Sequence, residues 1–519
     1  MTRHALRTRP RGFSATLVVA ALAACTLAAC SDSSSSSSPA QATLCDDVPA
    51  IDAAAAPSAA SPAGTRPLPA WYDDAKLGIM IHWGVWTIPG WAETTLDPER
   101  VADKNDPDYL LAPGGIERFV RHNPYTEWYE NSLAIDGTAT QQFHRETYGA
   151  KFPYTGFQAA FEEQSAAWDA DDWARLFATA RARYVVFVSK HHDGYALWPT
   201  SVANPERPGW NSSRDFVGEL ADAVRSRCVR LGLYYSGGID WSFRAPPVTS
   251  LLEFVDPAPA SAEYARYVEQ QYLELIERYR PSVLWNDITS PKLVDESALF
   301  SLYYAAVPDG VVNDRWGFDP TTPLPDFRTA EYDVRDGIYN EKWEAVRGIG
   351  RTFGFNVNQT VEQYGTPEKY IHLLIDVVSK NGNLLLNVGP MADGSIPAPQ
   401  VTVLEELGAW LETNGEAIFA TRPWTQFGGL TRFGGPNGDD LPVRFTRSAD
   451  GRTVYAIVLG TPTGTSVVLR LFAGTAASVR LLGGASDLDF TDDDGDLRID
   501  LSEELPASAA HAFAIRLAD

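Results

Sequence analysis

The sequence has only four cysteines among its 519 residues. Four are too few for a disulfide-rich scaffold or for a zinc module built from several cysteine ligands. Basic residues are also scarce, because 43 Lys and Arg stand against 67 Asp and Glu, which gives a formal net charge of −24 at pH 7. This imbalance argues against binding to nucleic acid or anionic lipid through a generally basic surface.

Apolar residues make up 45% of the chain and aromatic residues 11%, with 15 tryptophans. A disordered chain lacks this much apolar surface to bury. The length suits one large catalytic domain with one or two smaller units. Abundant aromatic residues in an acidic chain are common in sugar-active proteins, because rings stack on the C–H faces of sugars and carboxylates drive glycosidic chemistry.

The N-terminus has the charge order of an export signal. Residues 1–11 carry four arginines and no acidic residue, and the apolar run that follows is too short for a transmembrane helix. The run ends in LAAC at 27–30, which resembles the bacterial lipobox, in which the cysteine becomes the lipidated N-terminus; an ordinary signal peptide is the alternative. We expect a lipoprotein signal peptide at 1–29, lipidation of Cys30, and an exported protein anchored at the bacterial cell envelope, facing the periplasm or on the cell surface.

Residues 30–66 are rich in Ser, Ala and Pro without apolar periodicity, which is typical of a flexible tether. Such a tether suits a domain that contacts the membrane only through an N-terminal lipid. Cys45 and Cys228 are able to pair in an oxidising compartment, but their positions in the sequence do not show whether they meet.

From 67 to 425, short apolar runs alternate with helical patterns such as 212–227, where Ser212 or Ser213 is placed to cap the helix. Buried strands joined through helices imply a parallel α/β sheet. A (β/α)8-like TIM barrel is favoured over a doubly wound sheet, because no glycine-rich nucleotide motif follows any strand. The six predicted strand runs are 78–84, 184–194, 230–238, 282–287, 310–316 and 383–389.

Polar and aromatic side chains stand at the C-terminal ends of five of these runs. In a barrel these ends converge on one face, where the active site lies. A single such residue more often satisfies a backbone group, but five strands ending in this way favour a shared site. The side chains are His82, His191, His192, Asp193, Tyr234, Tyr235, Trp285, Asn286, Asp287, Asn313, Asp314 and Arg315.

Residues 426–519 show short alternating strands bounded by Gly, Asp and Pro, which predict an antiparallel β-sandwich. The acidic run at 492–496 lacks the spacing of calcium ligands. A hairpin turn is therefore favoured there over a calcium loop.

Several motifs in the region 67–425 resemble, in order, family 29 of the glycoside hydrolases, the retaining α-L-fucosidases. The resemblance implies a (β/α)8-like barrel followed by a β-sandwich, and hydrolysis of terminal α-L-fucosyl residues of oligosaccharides or glycoconjugates without a metal or other cofactor. The motifs include WYDDAKLGIMIHWGVWTIPGWAE at 71–93, SKHHDGYALWPTSV at 189–202, VLWND at 283–287, DFRTAEY at 326–332, KWEAVRG at 342–348 and KNGNLLLNVGP at 380–390.

The resemblance also assigns a catalytic pair. Asp287 in VLWND matches the nucleophile of the family; a helix N-cap is the alternative for this residue. Retention needs a second carboxyl group, the acid/base, about 5–5.5 Å from the first. Glu331 in DFRTAEY matches its position in one branch of bacterial members, and Glu344 in KWEAVRG matches the position used by others. We favour Glu331, because the whole DFRTAEY string resembles the first branch.

The other matches imply a fucose pocket. Met80 and Phe353 stand where the family places apolar groups against the C6 methyl of fucose, a contact worth only about 1–3 kcal/mol of discrimination. The axial hydroxyl pattern, read by histidines, must supply the rest. The residues that match sugar-binding or nucleophile-positioning sites are His82, Glu127, Trp128, His191, His192, Tyr234, Trp285 and Arg315.

Two other functions are open to these residues. A metal-dependent hydrolase would use His82, His191, His192 and Asp193 as zinc ligands, although adjacent histidines on a strand point to opposite sides. A non-catalytic, lipid-anchored fucose-binding protein would lack a catalytic carboxylate, whereas all three candidate carboxylates are present.

Overall fold

The computed structural model describes residues 66–250, 253, 258–317, 325–432, 439–493 and 495–518. The predicted signal peptide, Cys30 and the predicted tether up to residue 65 lie outside these ranges. Cys228 lies within the described ranges and is disulfide-bonded. The other three cysteines lie outside these ranges. Within the described ranges, no helix combines the length and the apolar character that a membrane crossing needs.

Eight parallel strands form one curled sheet in the order β5-β4-β3-β2-β1-β8-β7-β6. This is the strand order of a barrel that is opened between β5 and β6, and side chains and turns bridge the opening. The backbone N–H of Asp326 donates to the carbonyl of Val312 (3.0 Å), and Asp314 accepts from the Thr329 hydroxyl (2.7 Å). The predicted (β/α)8-like barrel is confirmed. The strands are β1 Leu77–Ile81, β2 Tyr184–Lys190, β3 Arg230–Ser236, β4 Val283–Asp287, β5 Val311–Val312, β6 Arg328–Glu331, β7 Trp343–Gly348 and β8 Gly382–Val388.

Helices cover the outside of the sheet and the loops at its ends. The prediction that Ser212 or Ser213 caps the helix at 212–227 is wrong, because the helix begins at Phe216 and Asp215 accepts from the N–H of Gly218 (2.9 Å). The α-helices are α1 Ala70–Ala75, α2 Pro98–Ala102, α3 Gly115–Arg121, α4 Tyr129–Ala134, α5 Ala139–Thr147, α6 Phe157–Gln164, α7 Ala170–Thr179, α8 Phe216–Arg225, α9 Ala262–Tyr279, α10 Glu296–Ala306, α11 Pro367–Ser379 and α12 Ala398–Asn414. The 3₁₀ turns are Val85–Thr87, Thr126–Trp128, Tyr154–Gly156, Ser165–Ala167, Val361–Gln363 and Gly415–Ala417.

Side chains along the barrel strands alternate between two cores. Val283 and Trp285 belong to the core inside the barrel, whereas Leu284 belongs to the core between the sheet and the helices. Because the side-chain period of a strand is two, Asp287 continues the inward series at the end of β4. The same alternation places Thr329 and Glu331 of β6 inward, since Ala330 lies in the outer core.

Strands β6 and β7 are not among the six predicted runs, although both lie within quoted motifs. Charged residues interrupt the apolar pattern, because Arg328 and Glu331 are the first and last residues of β6, and Glu344 and Arg347 lie within β7. Glu344 is fully buried at 0% exposure. Of these positions, Glu331 and Glu344 face the interior of the barrel, where the site is built.

The C-terminal region consists of a six-stranded antiparallel sheet, β14-β13-β17-β11-β10-β9, and a three-stranded sheet, β12-β16-β15. A shared core containing Val443, Phe445 and Ile499 lies between them, so the predicted β-sandwich is confirmed. β9 spans the predicted boundary at 425/426. The acidic run at 492–496 lies in the β15–β16 hairpin. The strands are β9 Thr421–Leu430, β10 Pro442–Ser448, β11 Thr453–Leu459, β12 Ser466–Leu469, β13 Ala476–Leu481, β14 Asp487–Leu488, β15 Phe490–Asp493, β16 Asp496–Asp500 and β17 Ala510–Leu517.

Candidate active site

A cavity of about 550 Å³ opens at the C-terminal ends of the barrel strands. All the residues predicted from the sequence to act in catalysis or sugar binding line this cavity, except Glu344. They are Met80, His82, Glu127, Trp128, His191, His192, Tyr234, Trp285, Asp287, Arg315, Glu331 and Phe353. Residues from β1, β3, β4 and β6, from the segment directly after β2, and from loops far apart in the sequence therefore meet in one place.

Asp287 ends β4 and is held through both of its carboxylate oxygens. Arg315 donates from Nη1 to Oδ1 (2.9 Å), and the Tyr234 hydroxyl donates to Oδ2 (2.8 Å). Burial opposes ionisation of this carboxyl, but the charge of Arg315, the nearby His192 and the two hydrogen bonds outweigh it, so the pKa of Asp287 is lowered from its ordinary value. Asp287 is therefore an oriented, ionised carboxylate at neutral pH, as a nucleophile requires.

Arg315 links the two favoured catalytic carboxylates. Its Nη2 donates to Oε2 of Glu331 (2.9 Å), while its Nη1 is bound to Asp287 and its Nε donates to the Thr329 hydroxyl (3.1 Å). Burial disfavours the charged form of Arg315. The negative charges of Glu331 and Asp287 outweigh this effect and raise the pKa of Arg315 above its already high ordinary value. The guanidinium thus carries a permanent positive charge between the two carboxyl groups.

Glu331 and Glu344 occupy different depths of the barrel. Glu331 ends β6, lines the cavity and has a side chain that is 34% exposed. Glu344 pairs across the ladder with Thr329, two residues earlier on β6. Because successive inward positions are two residues apart, Glu344 lies one layer below Glu331.

Glu344 is enclosed by three donors. Its Oε2 accepts from the hydroxyls of Tyr72 (2.9 Å) and Tyr184 (2.5 Å), and its Oε1 accepts from Nε1 of Trp285 (3.0 Å). Burial raises the pKa of Glu344, although these hydrogen bonds oppose the rise. A carboxyl group enclosed in this way supports the underside of the site and does not reach the cavity.

His82 is held in one tautomer by Asn387. The Asn387 amide nitrogen donates to the carbonyl of Phe353 (2.8 Å), so its Oδ1 faces Nδ1 of His82 at 2.6 Å as an acceptor. His82 must therefore carry its proton on Nδ1, which leaves Nε2 as an acceptor. Burial lowers the pKa of His82 to about 4, so the ring is neutral at physiological pH.

His192 is fixed by the same logic through Ser236. The Ser236 hydroxyl donates to the carbonyl of Ile239 (2.7 Å), so it accepts from Nδ1 of His192 at 2.7 Å. Nε2 of His192 is again left as an acceptor, and burial lowers the pKa of His192 to about 3. Two neutral imidazoles that can accept hydrogen bonds are suited to binding sugar hydroxyls.

Two polar atoms at the cavity have no hydrogen-bond partner among the described residues: Nδ1 of His191 and the hydroxyl of Tyr332. The apolar side of the cavity lies close by, because the Phe353 ring stacks on His82 with 5.0 Å between ring centroids.

Glu127 lies in the 3₁₀ turn Thr126–Trp128 and is buried. The N–H of Gly354 donates to Glu127 Oε2 (2.9 Å). A Cβ at position 354 would lie 2.5 Å from the Thr126 hydroxyl oxygen, which explains the glycine. Burial raises the pKa of Glu127 to about 7.

The histidines do not form a metal centre with Asp193 in this fold. The Asp193 carboxylate accepts from the Tyr154 hydroxyl (2.8 Å) and from the N–H of Tyr195 (3.1 Å), so it is directed away from the cavity. Across the described part of the chain, no group of three or more His, Cys, Asp or Glu side chains has the arrangement of metal ligands.

Several residues that shape the site were not among the site residues predicted from the sequence. Thr329 positions Arg315, while Asn387 and Ser236 set the histidine tautomers. Thr329 and Asn387 lie inside the quoted motifs DFRTAEY and KNGNLLLNVGP, which was the available signal. Ser236 lies at the end of β3, within GLYYSGGIDW at 232–241, a stretch that also resembles the family.

Comparisons with known proteins agree with this geometry. The family model described as alpha-L-fucosidase matches residues 48–416, and the model of the alpha-L-fucosidase C-terminal domain matches residues 440–518. The alpha-L-fucosidase of Dictyostelium discoideum is 33% identical over 387 residues, 69% of this chain and 73% of that protein. The tissue alpha-L-fucosidase of Mus musculus is 30% identical over 452 residues, 83% of this chain and 86% of that protein.

Solved structures show the same relationship. The crystal structure of Thermotoga maritima alpha-fucosidase in complex with fucose has a TM-score of 0.74 and 38% sequence identity, and the match covers 86% of this chain and 97% of that chain. The matched regions include both the barrel with its candidate site and the C-terminal sandwich. The chain belongs to the α-L-fucosidase family, family 29 of the glycoside hydrolases.

Proposed function

We propose that this protein is an exo-acting α-L-fucosidase that removes terminal α-L-fucosyl residues from oligosaccharides or glycoconjugates with retention of configuration. One observation carries the proposal: Asp287 and Glu331 are bound to the two terminal nitrogens of a single guanidinium, that of Arg315, at the cavity. This bridge is compatible with the separation of about 5–5.5 Å that retaining glycosidases use between nucleophile and acid/base.

In the first step, an Asp287 carboxylate oxygen attacks the anomeric carbon of the bound fucoside. The bond from that carbon to the leaving oxygen breaks as Glu331 passes its proton to that oxygen. The product is a fucosyl ester on Asp287 with inverted configuration. Asp287 loses its negative charge as Glu331 gains one, so the total charge beside Arg315 is unchanged and the guanidinium stabilises both ends of the transfer.

In the second step, the Glu331 carboxylate takes a proton from a water molecule, whose oxygen attacks the anomeric carbon. The ester bond to Asp287 breaks and its carboxylate is restored. The second inversion releases α-L-fucose, and Glu331 is again protonated for the next cycle.

The other side chains account for binding. Nε2 of His82 and Nε2 of His192 accept hydroxyl hydrogens of the sugar, as their tautomers require. Met80 and Phe353 supply the apolar contact for the C6 methyl. Glu127 and Trp128 close the cavity from the 3₁₀ turn that carries them.

We further propose that the protein is exported and anchored to the cell envelope through a lipid on Cys30, with fucosylated glycans as its partners. The arginine-rich start, the LAAC motif and the serine-rich tether support this. The anchor places the cavity outside the cytoplasm, where the protein can reach complex glycans.

A chromogenic α-L-fucoside tests the activity. We expect release of the chromophore at a rate that a chelator does not change, since the proposed steps use two carboxyl groups. Loss of activity with chelator, or binding of the fucoside without turnover, would contradict the proposal.

A further inference from the structure

The cavity is larger than a fucose pocket needs. Its volume of about 550 Å³ lies in the range of roughly 300–1,000 Å³ found for drug-sized ligands, and a single deoxyhexose is much smaller. One side of the cavity comes from the segment 97–119, which lies outside the barrel strands. We call it the 97–119 wall. Its lining side chains are apolar or aromatic and include Pro98, Val101, Tyr109, Leu110, Leu111 and Phe119.

Ion pairs fix the 97–119 wall to the barrel near Glu331. Glu99 accepts from Nη1 of Arg347 (3.0 Å), which lies on β7, and Asp97 pairs with Arg351 (2.9 Å) just beyond that strand. β7 is the hydrogen-bonded neighbour of β6, which ends at Glu331. The wall therefore stands over the acid/base side of the site.

A row of aromatic rings connects the wall to the same place. Phe119 contacts Tyr125 with ring centroids 5.7 Å apart, and Tyr125 contacts Phe353 at 5.3 Å. Phe353 in turn contacts Tyr332 at 5.4 Å, and Tyr332 directly follows Glu331. The wall and the acid/base thus share one continuous packed surface.

Leu111 lies at the rim of this surface and is 61% exposed. Tyr109 and Leu110 are partly buried beside it. Exposed apolar side chains that continue a binding cavity are typical of a surface that a ligand covers.

We propose that the 97–119 wall binds the leaving-group sugar of the substrate, with Tyr109, Leu110 and Leu111 packed against the apolar C–H face of that pyranose. The inference rests on the proposed function, because a leaving group whose oxygen is protonated by Glu331 must lie on the Glu331 side. The lining that the wall contributes is mainly hydrocarbon and one phenol ring, so it recognises the ring face of the sugar more than its hydroxyl pattern.

Two substrates separate this contact from catalysis. The first is the fucosyl disaccharide that the parent hydrolyses fastest among α-1,2-, α-1,3-, α-1,4- and α-1,6-linked compounds. The second is α-L-fucosyl fluoride, whose leaving group is too small to reach the wall. We expect Tyr109→Ala and Leu111→Ser each to lower kcat/KM for the disaccharide by about five- to tenfold and to leave kcat/KM for the fluoride unchanged.

Leu302→Ser is the matched control, because Leu302 is 53% exposed on α10 and does not line the cavity. It should change neither substrate. Retained activity on the fluoride shows that a wall variant is folded. An equal loss on both substrates, or no loss on the disaccharide, would overturn the wall proposal. A parent that turns over neither substrate would overturn the proposed function and the wall proposal with it.

Discussion

The guanidinium of Arg315 lies over the indole ring of Trp285, with 4.8 Å from the Arg315 Cζ to the ring centroid. Trp285 is itself held from below, because its Nε1 donates to Glu344 in the barrel core. The position of the positive charge between Asp287 and Glu331 is thus set by a stack that reaches into the core, and not only by the two ion pairs.

Replacement of Arg315 tests this arrangement. We expect Arg315→Ala to lower kcat/KM by an amount equivalent to roughly 2–5 kcal/mol. Arg315→Lys should restore little, since an ammonium group cannot bond both carboxylates and stack on the indole at once. Steady-state kinetics with an aryl fucoside measure the loss, and circular dichroism checks folding.

Arg328→Lys is a suitable control for these variants, because Arg328, at the start of β6, pairs with the exposed Glu341 and does not line the cavity. Its activity should equal that of the parent. An Arg315→Lys variant with parental kcat/KM would remove the requirement for a bridging guanidinium.

Glu127 should make the stability of the protein depend on pH. Burial raises its folded pKa to about 7 from an ordinary 4.5, so the folded state binds more protons than the unfolded state between these values. The free energy of unfolding should therefore fall as pH rises from 4.5 through 7, by on the order of 3 kcal/mol from this group. Below pH 4.5 the contribution is fully present.

The Glu127→Gln variant isolates this contribution. Denaturant unfolding of parent and variant across pH 4 to 8 should show the parent losing stability relative to the variant between about pH 4.5 and 7. The two should run parallel outside that window. Parallel curves throughout would show that Glu127 does not titrate as its burial implies.

Much of the fold can be predicted from the sequence, because apolar strands and the polar residues at their ends are local features. Six of the eight barrel strands and the sandwich were predicted in this way. β6 and β7 were not, because Glu331 and Glu344 place ionisable side chains at positions that face the barrel interior, and Arg347 adds a third to the same short strands. A buried polar residue interrupts the apolar pattern by which a strand is predicted. The hydrogen-bond partners that allow its burial come from distant parts of the chain, as Tyr72 does for Glu344, so the sequence near the strand does not reveal them.

The sequence also does not predict how deep in the barrel a residue lies. Glu331 and Glu344 look equivalent in the sequence, since each lies in a motif of the family. Only the register of β6 against β7, in which Glu344 pairs with Thr329, places Glu344 one layer below the cavity. The 97–119 wall was missed because its short helices show no strong periodicity.

Anchoring is tested at the N-terminus. We expect mass spectrometry of the protein purified from its native membranes to show an N-terminal Cys30 that carries acyl chains. Cys30→Ala should shift the protein to the soluble fraction with unchanged fucosidase activity, because the lipid has no part in the site. An unmodified N-terminus at any other residue would rule out the lipoprotein.

Stereochemistry tests the role of Asp287. Two inversions give α-L-fucose first, which proton NMR of an early hydrolysate detects before mutarotation. Asp287→Gly should lower kcat roughly 10⁴-fold, and azide should then restore turnover and give a β-fucosyl azide by direct attack. The appearance of β-L-fucose as the first product of the parent would contradict a covalent intermediate.

The last prediction separates the two candidate acids. Glu331→Ala should lower hydrolysis of natural oligosaccharides by roughly 10²–10⁴-fold, because their leaving groups need a proton. An aryl fucoside with a good leaving group needs none, so it should still form the ester on Asp287 quickly. Azide does not need a general base, so it should release that ester as an α-configured fucosyl azide.

Glu344 should behave differently. Glu344→Ala removes an acceptor from three buried donors, at a cost of about 1–3 kcal/mol for each unpaired group, so we expect lower stability and no azide product. Glu344→Gln keeps the volume and one acceptor oxygen and is the matched control for folding. The assignment rests on the depth difference between β6 and β7. If azide rescued Glu344→Ala with an α-azide and failed with Glu331→Ala, Glu344 would be the acid/base and the layer order in the barrel would not govern catalysis.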